Sequence, residues 1–79
     1  MADYDHYEEA ASIIRMLRQT SLNNYSDSLQ NAMDEGATGT EIFMALRWNL
    51  ENLLNEDSLN DLIKVKATRL WKEIDKVLQ

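Results

Sequence analysis

Few residues in this chain carry groups suited to chemistry. His6 is the single histidine, and there is no cysteine. As a general base a histidine needs a nucleophile or an orienting carboxylate, and as a metal ligand it needs companions. Asp3 and Glu9 are near it in sequence, but a chain end frays and no second histidine exists, so His6 is read as a surface residue. Asp34, Glu35 and Glu41 are the other group of interest, since clustered carboxylates can hold a hard cation. Their spacing matches no calcium loop, and helix capping accounts for the same residues. Paired-carboxylate hydrolysis is no better supported, because no cleft residues accompany the acids. The "GATG" at residues 36–39 invites comparison with phosphate-cradling loops, yet it lacks the P-loop lysine and sits among acids that repel phosphate. No enzyme activity, metal or cofactor is expected from these residues.

Charge is more informative. The chain has 79 residues and a formal net charge of -6. Residues 21–57 hold seven acids against one base, whereas residues 58–79 hold three acids against five bases. The middle of the chain therefore carries the whole excess. Such a field repels nucleic acid and anionic membranes and attracts cationic partners. The opening "MADYDHYEEAAS" lacks a basic region followed by an apolar core, so no signal peptide is expected. No apolar run approaches the roughly 18 residues of a membrane span. Without cysteine there is no disulfide to suit an oxidising compartment. A cytoplasmic location is the expectation.

These residues must be positioned by helices. The absence of proline, the presence of only two glycines and a 44% hydrophobic content favour long helices with short connections. Tyr7, Ala10, Ala11, Ile14 and Leu17 recur at helical spacing, which predicts a helix over about residues 4–18. Acids crowd its first turns and Arg15 and Arg18 its last, as the helix dipole favours. Leu22, Tyr25, Leu29, Ala32 and Met33 predict a second helix over about 23–35. Its start is ambiguous among several capping residues, and Gly36 is the expected left-handed terminator.

Thr38 and Glu41 fit a capping box, in which the Thr38 hydroxyl accepts from the Glu41 amide and the Glu41 carboxylate returns to the Thr38 amide. A third helix over 39–54 follows, with Ile42, Phe43, Leu46, Leu50, Leu53 and Leu54 on one face. Asp57 or Ser58 is the expected cap of a fourth helix ending near 78. Its seam is Ile63, Ala67, Leu70, Ile74 and Val77, broadened by Leu59, Leu62, Trp71 and Leu78. The fold class implied is all-α: one domain over residues 1–79, a compact antiparallel bundle of four short helices at about 4–18, 23–35, 39–54 and 58–78. Three helices with a kinked or frayed second element are the alternative.

Three features of these helices could serve binding. Arg47 lies between Leu46 and Trp48. Either its stem packs on the helix while its head pairs with Glu51 one turn on, or it grips a partner. Trp48, off the main apolar stripe, is either a lateral core contact or an exposed anchor. Lys64, Lys66, Arg69, Lys72 and Lys76 form a basic face on the fourth helix. It has no nucleic-acid recognition grammar and is read as a solvated face pairing with acids of neighbouring helices.

The segment "DEGATGTEIFMALRWNLENLL", within residues 33–54, resembles a pattern in small bacterial proteins encoded beside toxins, the immunity proteins of contact-dependent or bacteriocin-type systems. The resemblance implies a helical, acidic, non-enzymatic inhibitor of a cognate toxin, which is often a basic nuclease. It carries over no functional residue. From charge alone, the partner-binding candidates are Asp27, Asp34, Glu35, Glu41, Glu51, Glu56 and Asp57 for electrostatic steering, with Arg47 and Trp48 as anchors. The expected partner is thus a basic protein, with no nucleic acid and no membrane. A small regulatory or adaptor protein acting through homodimerisation is the alternative.

Overall fold

The computed structural model describes residues 4–79, so Asp3 lies outside the described residues. It contains four helices: α1 (His6–Leu17), α2 (Asn23–Glu35), α3 (Gly39–Leu54) and α4 (Asp61–Leu78). Each helix packs on its chain neighbours, and α4 closes the ring against α1. The arrangement is the expected all-α antiparallel bundle. Cross-helix contacts display the antiparallel sense directly. Tyr25 at the start of α2 reaches Glu56 just past the end of α3, and Arg47 and Glu51 of α3 reach Asp75 and Trp71 of α4 in reverse order.

Helix starts follow local hydrogen-bond demand. The first amides of a helix lack intrahelical acceptors, and a side-chain oxygen at the N-cap supplies one. Asp5 accepts from the Glu8 amide at 3.0 Å to start α1, and Thr38 accepts from the Glu41 amide at 3.1 Å to start α3. The reciprocal half of the α3 capping box differs from expectation. The Glu41 carboxylate accepts from the Ala37 amide at 3.4 Å instead of the Thr38 amide. α4 begins later than its expected start, at neither Asp57 nor Ser58. Asn60 is the cap, its Oδ1 accepting from Leu62 at 2.7 Å and Ile63 at 3.4 Å. The Ser58 hydroxyl is spent on Glu56.

Gly36 is also not a left-handed terminator. Its φ of -68° and ψ of 131° are extended backbone that any residue adopts. The reason for glycine is proximity. A Cβ at this position would overlap the Ile42 side chain and stand 3.1 Å from the Ile42 backbone nitrogen. The α2–α3 connection is short because nothing projects between its two ends.

The core is built from one stripe per helix. Ile13 and Leu17 of α1, Leu29 of α2, Leu46, Leu50 and Leu53 of α3, and Leu70 and Ile74 of α4 are fully buried. Ile63 and Ala67 complete the α4 seam, and Leu59 joins it from the preceding turn. Val77 and Leu62 depart from the expected pattern and are exposed, each beside a neighbour, Leu78 or Ile63, that turns toward the core instead. Among the described residues, no helix is long and apolar enough to cross a membrane.

Candidate protein-binding surface

α3 presents two opposite faces. Leu46, Leu50 and Leu53 point inward, and Met44, Trp48 and Glu51 point out. Trp48 is 64% exposed and Met44, one turn before it, is 53% exposed. This decides the open reading of Trp48 in favour of solvent exposure. The sequence held the signal, since Trp48 is two positions from both Leu46 and Leu50 and so must lie across the helix from them. Met44 was missed, although it shares the Trp48 face at i, i+4 spacing. The two side chains, with Ala45, Arg47, Asn49 and Glu51, line a shallow depression of about 490 Å³.

Arg47 is committed within the molecule. Its guanidinium donates to the Asp75 carboxylate of α4 at 2.7 Å, with both side chains about a third exposed. The expected pair with Glu51 does not form. Glu51 instead accepts from the Trp71 indole N–H at 3.1 Å. The two bonds run side by side between α3 and α4, and Arg47 and Glu51 line the same depression as Trp48.

The acids of residues 21–57 fall into two groups. Asp34, Glu35 and Glu41 flank the α2–α3 connection. Asp27, Glu56 and Asp57 gather toward the far end of the same two helices, where the Tyr25 hydroxyl donates to Glu56 at 3.2 Å. α2 is roughly 20 Å long at about 1.5 Å per residue, so the groups bracket the α2–α3 layer instead of forming a single patch. Glu51 lies between them along α3. Among the described residues, the ion pairs are Arg15–Glu8, Arg47–Asp75, Lys66–Glu9 and Lys76–Glu73. Every acid in them comes from α1 or α4. Among the described residues, the seven central acids have no cationic partner.

The basic face of α4 divides likewise. Lys66 pairs with Glu9 of α1, as expected of a face that meets neighbouring acids, while Lys76 pairs within its own helix. Lys64, Arg69 and Lys72 form no ion pair among the described residues. With Val65 and Thr68 they line a second shallow depression, of about 470 Å³, on the outer side of α4. Val65 is 68% exposed at its floor.

His6, expected at the surface, is half-buried. Its ring lies 5.0 Å from both Tyr4 and Phe43 and so joins the start of α1 to the start of α3. Tyr4 is held from the other side by the Arg69 guanidinium, 4.9 Å over its ring. Burial, reinforced by the charge of Glu9, pushes the Tyr4 phenol up to about 12. Its hydroxyl is buried without a hydrogen-bond partner among the described residues. Tyr25 is raised as well, by partial burial and by its hydrogen bond to Glu56, which must break for the phenol to ionise. No three His, Asp or Glu side chains converge on a common point among the described residues.

The chain matches no protein-family model, no curated protein and no solved structure.

Proposed function

We propose that this chain is a non-enzymatic protein-binding module, an immunity-type inhibitor that neutralises a basic toxin in the bacterial cytoplasm. One observation carries the reading: among the described residues, the seven acids of residues 21–57 stay outside every ion pair, while the acids of α1 and α4 supply those that form. Exposed charges of one sign that are not neutralised locally raise the encounter rate with an oppositely charged partner. Trp48 and Met44 supply the second requirement, an apolar anchor whose desolvation slows dissociation. Arg47 acts in this scheme through its hold on α4, which keeps the Trp48 face in place.

The mechanism has two steps. Asp27, Asp34, Glu35, Glu41, Glu56 and Asp57 draw a cationic surface toward the α2–α3 layer from either end. Trp48 then inserts its ring, with Glu51 beside it to meet a lysine or arginine of the partner. The product of the adjacent open reading frame is the partner to test. Asp34→Lys with Glu35→Lys should slow association with it and flatten the dependence of the on-rate on salt. Equal on-rates for the wild type and the double variant, measured by stopped flow at low ionic strength, would overturn the steering mechanism.

A further inference from the structure

The outer faces of α3 and α4 complement each other in charge, and each carries exposed apolar side chains. On α3, Met44 and Trp48 stand exposed between Glu41 and Glu51; on α4, Val65 stands exposed among Lys64, Arg69 and Lys72. None of these charged groups takes part in an ion pair among the described residues. The two helices are neighbours in one layer, so a single side of the molecule carries an acidic-apolar strip next to a basic-apolar strip.

We propose that this side pairs with the same side of a second copy of the chain, each α3 lying on the partner's α4. Symmetry selects the arrangement. A two-fold axis running along the helices, between α3 and α4, places each acidic strip over a basic strip. A two-fold axis across the helices places α3 on α3 and α4 on α4, and so sets like charges against each other. Only the first arrangement is electrostatically favourable, and it is closed, so it stops at two copies.

The register follows from contacts already described. Arg47 stands level with Asp75, and Glu51 with Trp71. An axis parallel to the helices preserves that level. Glu51 of one copy therefore meets Lys72 of the other, the next residue along from Trp71. Trp48 lies where the aliphatic stem and ammonium of the second copy's Lys72 or Lys76 can cover its ring, a cation–π contact. Both contacts occur twice. The pairing needs no cationic toxin and goes beyond the inhibitor reading. It uses the same Trp48 face, so a second copy and a toxin compete for it.

The test is sedimentation equilibrium of the full chain at micromolar concentration and low salt, with far-UV circular dichroism to verify folding. The wild type should be a dimer that weakens as salt rises. Glu51→Lys and Lys72→Glu should each be monomeric, because each homodimer then holds two like-charge contacts. Mixed in equal amounts they should recover a heterodimer, since one swapped and one native pair are restored. Trp48→Ala should raise the dissociation constant by roughly tenfold or more without altering the fold. A monomeric wild type, a dimer that survives both charge reversals, or a mixture that stays monomeric would each overturn the proposal. Toxin binding by a monomeric wild type would leave the inhibitor reading standing while this one falls.

Discussion

The Arg47 guanidinium and the Asp75 carboxylate meet at 2.7 Å across the α3–α4 contact, each about a third exposed. The pair is flanked one turn away by the Trp71–Glu51 hydrogen bond, so two polar links lie in the same seam. Partial burial lifts such a pair above the near-zero worth of an exposed one, and leaves the survivor poorly solvated if its partner is removed. Arg47→Ala should cost about 1–2 kcal/mol in urea unfolding. A double-mutant cycle with Asp75→Ala should return a coupling of about 1 kcal/mol, and additivity of the two changes would show that the pair contributes nothing.

Gly36 is required by packing against Ile42 and not by its own dihedral angles. Gly36→Ala should therefore destabilise by about 1–3 kcal/mol, the usual cost of overpacking, even though the backbone there accepts alanine. The same substitution in an Ile42→Ala background should cost clearly less, because the side-chain overlap is gone and only the tight approach to the residue 42 backbone remains. Chemical denaturation of the four proteins distinguishes this from a conformational requirement, which Ile42→Ala could not relieve.

Asn60 caps α4 through two backbone amides, while Ser58 bonds only a side chain in the turn. Asn60→Ala should lower stability by about 1 kcal/mol. Ser58→Ala should stay within about 0.5 kcal/mol of the wild type. Equal effects of the two would return the cap to the position that sequence spacing suggested.

Burial pushes the Tyr4 phenol up from its ordinary 10.0 to about 12. The folded state therefore holds its phenolic proton more tightly than the unfolded state does. That contribution is complete below pH 10 and drains away as pH rises from there to about 12. Stability measured across this window should fall less steeply in Tyr4→Phe. At neutral pH the same substitution removes a buried hydroxyl with no partner among the described residues, and should raise stability by about 0.5–1 kcal/mol. An ultraviolet titration with a single tyrosine transition near 10 would contradict the assignment.

Periodicity made the bundle legible. Spacings of three and four mark Leu46, Leu50 and Leu53, and again Ile63, Ala67, Leu70 and Ile74, and all seven are buried. Such spacing reports what one helix does with its own faces. It is silent on which helix lies opposite, so spacing points Arg47 to Glu51, one turn away, whereas its partner is Asp75 on another helix. The Gly36 role was hidden for the same reason, because it depends on where Ile42 sits in space. Asn60 lost to Ser58 in the sequence because several capping residues stand together, and the choice among them depends on how α3 hands the chain to α4. The acids were legible as a count. Their division between two ends of a layer required the antiparallel fold.

α2 is the least secured of the four helices. Its N-cap is Leu22, which offers its first amides no side-chain acceptor, and its buried residues are only Ser26, Leu29 and Ala32, two of them small. With an open N-cap and the fewest large buried apolar side chains of the four, its amide protons should exchange with solvent before those of α3 and α4. Asp27, Asp34 and Glu35 ride on this segment. A toxin that clamped onto them would slow that exchange, and the degree of slowing would report how far capture goes beyond attraction to the fastening of a loosely held element.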